Sequence, residues 1–107
     1  MREPTFFTLA PLIDGPLHGY AIVKRAAELS DGRITLTAGT LYAALDRLLA
    51  AGLIAVSGEE TVNGRARRYY RLTEEGLEAL NAEAARMTKA AKIVTRRRIA
   101  RTELGTA

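Results

Sequence analysis

The sequence has no cysteine, no tryptophan and a single histidine among its 107 residues. Without cysteine there can be no disulfide and no thiolate metal site, and a reducing compartment such as the cytoplasm is the natural setting. A metal held by His18 would need carboxylates that the sequence does not cluster near it, so His18 reads as a structural or helix-start residue. With one His, no Cys and no paired carboxylates in a recognisable constellation, nothing can be given a catalytic role. Neither an enzyme, a metal nor a cofactor is expected. Long apolar runs are missing as well, none approaching the roughly 20 residues that span a bilayer. The stretch from Phe6 to Ile13 is too short for a secretory leader and runs straight into Asp14-Gly15-Pro16. A cytoplasmic protein without a membrane partner is expected. Only six residues in a hundred are aromatic, so the core must come mostly from Leu, Ile, Val and Ala.

What the chain does have is apolar residues in quantity, 48%, enough to bury a core, and an excess of bases. Sixteen Lys and Arg against twelve Asp and Glu leave a charge of +4, which favours a polyanionic partner: DNA, RNA or an acidic membrane surface. The length suits one compact domain with an appendage.

Phe6, Leu9, Ala10 and Ile13 recur on one helical face, with Pro4 in the first turn and Asp14-Gly15-Pro16 as the stop. A second helix is predicted from about His18 to Leu29, with Tyr20, Val23 and Ala27 inward and Lys24, Arg25 and Glu28 outward. Ser30-Asp31-Gly32 closes it, and Ile34-Thr35-Leu36 has room for a very short strand. Thr37 is placed to cap a third helix whose Leu41, Leu45, Leu48 and Leu49 form a buried stripe, ending at Gly52.

Beyond Gly52 the period changes. Leu53-Ile54-Ala55-Val56 and Arg67 to Leu72 are β-prone runs separated by Asn63-Gly64, a two-residue hairpin turn. That turn fixes a register in which Glu60 faces Arg67 and Glu59 faces Arg68. Thr73, with Glu74 and Glu75, then opens a last helix to about Ile99. Leu77, Leu80, Ala84, Met87, Ala91 and Val94 are spaced three and four apart along it, the seam of a coiled coil. The last few residues are expected to fray.

The expected fold class is mainly α with a small β-hairpin: a winged helix-turn-helix domain over residues 1–73, then a dimerisation helix with a basic tail over 74–107. Specific segments sharpen the outline. Leu17-His18-Gly19-Tyr20 opens the second helix and Gly39-Thr40-Leu41-Tyr42 the third; Leu45 through Ala51-Gly52-Leu53-Ile54 and Arg68-Tyr69-Tyr70-Arg71-Leu72-Thr73-Glu74-Glu75-Gly76 follow. In this order, over residues 12–80, the chain resembles the PadR family of transcriptional regulators. Ala43 stands where that family commonly has Pro, and one C-terminal helix stands where larger members have several. The resemblance implies a dimeric regulator, usually a repressor, that binds inverted repeats in double-stranded DNA. It also implies a small aromatic or drug-like effector as a ligand class.

In a winged helix the third helix enters the major groove and the second crosses the backbone. The DNA-binding candidates are therefore Lys24 on the second helix, Thr37, Thr40, Tyr42 and Arg47 on the third, and Arg65, Arg67 and Arg68 on the wing. Thr40 and Tyr42 offer hydroxyls to phosphates, and small Ala43 allows close groove approach, with Ala44 and Arg47 also toward the outer face. Tyr42 packing on the wing and Arg47 pairing with an acid are the competing readings. Arg65, beside the turn, has no acid opposite it, whereas Glu59 and Glu60 partly neutralise Arg68 and Arg67. Tyr20 is expected in the core.

Leu77, Leu80, Ala84, Met87, Ala91 and Val94 are the candidate dimerisation residues, buried on a second copy because the seam outruns a domain already complete. The sequence leaves their pairing open as parallel or antiparallel. An apolar space between the two halves would take a flat ligand, though no Trp is available to stack on it. Lys89, Lys92, Arg96, Arg97, Arg98 and Arg101 read either as a solvated helix end suited to the dipole or as an arm for DNA or a membrane surface. The competing function is a winged-helix protein-interaction module without specific DNA binding.

Overall fold

A computed structural model describes residues 1–104, with side chains through residue 102. The expected fraying of the last few residues lies outside the described residues.

Helix α1 (Glu3–Leu9) starts with Pro4 in its first turn and passes into a 3-10 turn over Ala10–Asp14. The Thr8 hydroxyl donates to the Pro4 carbonyl at 2.7 Å, so it can be buried beside Leu9 without an unmet polar group. The tighter 3-10 winding changes the facing of the last residues, and Ile13, expected on the buried stripe, is exposed.

Strand β1 is only Leu17–His18, and it leads directly into α2 (Gly19–Leu29). This short strand precedes α2 rather than following it. Ile34-Thr35-Leu36 forms no strand: the Ile34 N–H donates to the Ser30 hydroxyl at 2.9 Å, and Leu36 turns into the core. The buried side of α2 is Gly19, Ile22 and Ala26, one position away from the expected Tyr20, Val23 and Ala27. Tyr20 consequently points outward and is 75% exposed, not in the core.

Helix α3 (Ala38–Ala50) is capped by Thr37, whose hydroxyl accepts from the Thr40 N–H at 3.2 Å. Its buried stripe is Leu41, Ala44, Leu45 and Leu48. Ala44 therefore lies inward, because i+3 from Leu41 falls on the same face as i+4. Leu49 is half-buried at the edge of the cluster.

Strands β2 (Ile54–Val62) and β3 (Arg65–Leu72) form the hairpin, turning at Asn63 and Gly64 with φ of 52° and 76°. Both residues sit in the left-handed region that a tight hairpin of this twist requires. Glu59 lies opposite Arg68 and Glu60 opposite Arg67, the register the turn predicts. A bulge between Val56 and Gly58 shifts the pairing nearer the core. The sheet order is β1-β3-β2, all antiparallel, with Leu17 opposite Tyr70 and His18 opposite Tyr69. Beyond Tyr69 the hairpin continues as a two-stranded ribbon.

Helix α4 (Glu74–Leu104) begins where the Thr73 hydroxyl accepts from the Gly76 N–H and donates to the Gly52 carbonyl. Its 31 residues make it about 46 Å long at 1.5 Å per residue. Its first turns pack on the domain: Gly76 lies against the Leu53 carbonyl, and Leu80 joins a core built from Leu9, Leu12, Ile22, Leu41, Leu45, Leu48, Ile54 and Tyr70. Leu80, placed by periodicity in the seam, is thus buried within its own chain. Glu83 follows, buried and bound at both oxygens by Arg86 at 2.7 and 2.9 Å. Past Ala84 the same stripe continues with Met87, Ala91 and Val94 exposed.

Candidate nucleic-acid interface

A polar cleft of about 610 Å³ opens between the start of α2, the first turns of α3 and the hairpin. His18, Tyr20, Tyr42, Asn63, Arg65 and Arg67 all line it. The α2 wall depends on glycine: a Cβ on buried Gly19 would sit 3.0 Å from the Tyr42 hydroxyl and 3.2 Å from Leu41. The missing side chain lets the Tyr42 ring lie across the start of α2 while remaining 51% exposed. Tyr42 therefore packs against α2 and also faces the cleft.

His18 ties this wall to the hairpin. Its Nδ1 accepts from the Ala21 N–H at 3.3 Å, capping α2, and its ring meets Tyr69 edge-on at 5.5 Å. The Tyr69 hydroxyl in turn donates to Glu60. Partial burial, and next the positive charge of Arg67, pull the His18 pKa below its ordinary value, favouring the neutral ring that the cap needs. Hydrogen bonding to Glu60 pushes the Tyr69 phenol up.

On the hairpin, Arg68 Nε lies 3.1 Å from Glu59, a hydrogen bond that holds the guanidinium pKa even higher than usual. Arg67 lies 3.9 Å from Glu60. Arg65 is exposed and makes no ion pair among the described residues.

Of the candidates from sequence, Tyr42, Arg65, Arg67 and Arg68 come together in this cleft. Thr37 and Thr40 are exposed on the adjoining first turn of α3, their hydroxyls 3.0 Å apart. Lys24 is exposed farther along α2 and is not part of the cleft wall. Arg47 points toward α1, donating to the Thr5 hydroxyl at 3.4 Å, and among the described residues it neither pairs with an acid nor joins the cleft. Sequence reasoning missed Tyr20. The signal was present, since Gly19, Ile22 and Ala26 keep helical spacing as well as the larger residues do and leave Tyr20 outside.

A family model for the transcriptional regulator PadR-like family matches residues 8–82, from α1 through the packed part of α4. The chain belongs to this family. A transcriptional regulator of Mycobacterium tuberculosis is 40% identical over 81 residues, covering 76% of this chain and 72% of that protein. Among solved structures, a PadR family regulator from Eggerthella lenta is 34% identical, with TM-score 0.68, over 86% of this chain and 78% of that one. A PadR family regulator from Clostridium difficile has TM-score 0.73 at 25% identity, over 89% and 97% of the two chains. Bacillus subtilis PadR, solved in complex with operator DNA, shares the fold at 23% identity and TM-score 0.68, over 78% of this chain and 47% of that one. The PadR-like match thus spans the cleft and every residue that lines it. No helix among the described residues is long and apolar enough to cross a membrane.

Proposed function

We propose that this PadR-like regulator is a sequence-specific DNA-binding repressor, acting in the cytoplasm as a homodimer on inverted repeats. The observation that carries the reading is the cleft itself: two exposed phenols and the wing arginines stand beside the exposed first turn of α3. In this docking the α3 turn bearing Thr37, Thr40, Tyr42 and Ala43 enters the major groove. The wing lays Arg65, Arg67 and Arg68 along the backbone or minor groove. Lys24 meets a phosphate from α2, and Arg47 is the most peripheral contact. The operator complex of Bacillus subtilis PadR supports this reading. Its chemistry is binding rather than catalysis.

Residues 1–73 form the DNA-binding domain, and α4 (Glu74–Leu104) is the dimerisation helix of the segment 74–107. Because Leu80 is already buried, the second copy covers Leu77, Ala84, Met87, Ala91 and Val94. Val94, 68% exposed on a stripe continuous with the core, is the strongest mark of an unpaired face. A dimer sets two α3 helices about 34–36 Å apart, one duplex turn, which is why an inverted repeat fits. The apolar space between the halves is the place for a flat aromatic effector.

The test is selection of genomic DNA fragments by the purified protein across a salt series. An inverted repeat shared by the retained fragments, with affinity falling steeply as salt rises, supports the proposal. Weak retention without a common sequence would leave the fold and remove the function.

A further inference from the structure

The wing of a DNA-binding domain carries two glutamates in the segment that would touch DNA, and they are held differently. Glu60 accepts from the Tyr69 hydroxyl, and Tyr69 packs on His18, so Glu60 fastens the wing to the start of α2. The Glu59 side chain has a single partner, Arg68 Nε at 3.1 Å, and makes no other hydrogen bond or ion pair among the described residues. Both side chains of that pair are about half exposed, 55% for Glu59 and 52% for Arg68.

We infer that Glu59 is a specificity-determining residue that competes with DNA phosphate for Arg68 and so penalises binding to generic duplexes. The inference rests on the DNA-binding reading above. Hairpin stability accounts poorly for the pair, since exposed ion pairs contribute only about 0–1 kcal/mol and Asn63-Gly64 already sets the register. An acid in this position has a cost of its own, because it repels every phosphate that nears the wing.

That cost falls unequally on the two kinds of complex. Generic binding is a mobile association held by the field of the basic groups, so it follows how many phosphates the protein neutralises. With Glu59 on Arg68, the wing presents one cation fewer to any duplex. A specific complex is held in one register by directed contacts, where Arg68 can exchange its carboxylate for a phosphate at fixed distance. The exchange is cheap because the pair is exposed and screened. Glu59 therefore lowers generic affinity more than specific affinity, and discrimination is the difference between the two. Glu59 and Arg68 share the sheet face of Tyr70, and Arg68 lines the same cleft as Tyr42 of α3, so the exchange occurs on the side of the reading helix.

The experiment compares the full chain with Glu59→Gln on a random-sequence duplex of about 30 base pairs, by fluorescence anisotropy between about 50 and 200 mM salt. The variant is expected to bind about three- to tenfold more tightly at the low-salt end, with a log–log salt slope steeper by about one. In an Arg68→Gln background the same substitution frees no cation and is expected to leave the salt slope unchanged, which ties the added slope to this pair. Thermal melting of each variant controls for folding. Parent binding with no gain from Glu59→Gln, or a loss, overturns the inference and leaves the DNA-binding reading standing. Absence of binding by both proteins overturns the two together.

Discussion

The imidazole Nδ1 of His18 accepts a hydrogen bond from the backbone N–H of Ala21, 3.3 Å away, so the helix that opens the cleft is capped by the chain's only titratable ring near neutral pH. Protonation at Nδ1 would set two donors face to face. Burial and Arg67 lower the folded pKa of His18, while Glu60 opposes them more weakly. The unfolded chain, with a pKa near 6.5, therefore binds protons first. The contribution of this cap is complete above about pH 6.5 and is lost as the pH falls below it toward the folded value. Urea unfolding at pH 8 and pH 5.5 should show a lower midpoint in acid. His18→Asn, which keeps an acceptor, should remove much of that difference, and His18→Ala should cost about 1 kcal/mol at pH 8.

A second, separate acid limb belongs to Glu83. Two hydrogen bonds from Arg86, helped by the Met1 ammonium 3.4 Å away, hold its carboxyl down to about 2 against an ordinary 4.5. The stabilisation is present above about pH 4.5 and fades as the pH drops toward 2. Glu83→Gln should flatten the stability profile in that window while leaving the region above pH 5.5 parallel to the parent. An unchanged acid limb in circular-dichroism titrations would assign the effect to other carboxylates.

Gly76 is the most closely approached of the glycines. A Cβ there would come within 1.9 Å of the Leu53 carbonyl oxygen, backbone against backbone, so nothing short of moving α4 makes room. Gly76→Ala should destabilise by about 1–3 kcal/mol. Gly39→Ala, on an exposed face of α3 with nothing within 4 Å of the new methyl, should instead gain up to about 1 kcal/mol. Calorimetric melting of the two variants should move in opposite directions.

The exposed stripe on α4 is a prediction about mass. Met87→Glu with Val94→Glu places charges on the stripe proposed to take a second copy, and sedimentation should shift from dimer to monomer with the domain still folded. Retention of the dimer would move the interface to another surface. Weakened DNA binding should accompany the monomer, because half-sites would then be held one at a time.

Much of this arrangement is legible in the sequence, and what is not has identifiable causes. Asn63-Gly64 specifies both turn and register, so the pairing of Glu59 with Arg68 and Glu60 with Arg67 could be counted residue by residue. Thr37 and Thr73 announce their helices because a hydroxyl before an apolar run has few other uses. Strand β1 escaped because two residues cannot show a period, and only pairing with Tyr69 and Tyr70 makes them a strand. Tyr20 and Ala44 were misplaced through side-chain size. Size alone puts a large residue in the core and a small one on the surface, whereas Gly19, Ala26 and Ala44 are buried, with Gly19 set directly against Tyr42 and Leu41 of α3. That close approach is what leaves Tyr20 and Tyr42 free to face the cleft.

The central claim, that this cleft grips DNA, is tested most directly on the fragment selected from genomic DNA. The parent is compared there with a Tyr42→Ala, Arg65→Ala double variant of matched thermal stability and mass. Both side chains are exposed, so folding should survive their loss. The account predicts affinity lower by about tenfold or more, with a shallower salt dependence from the missing arginine. Equal affinity and an equal salt slope for the two proteins would contradict it and place the DNA-binding surface elsewhere.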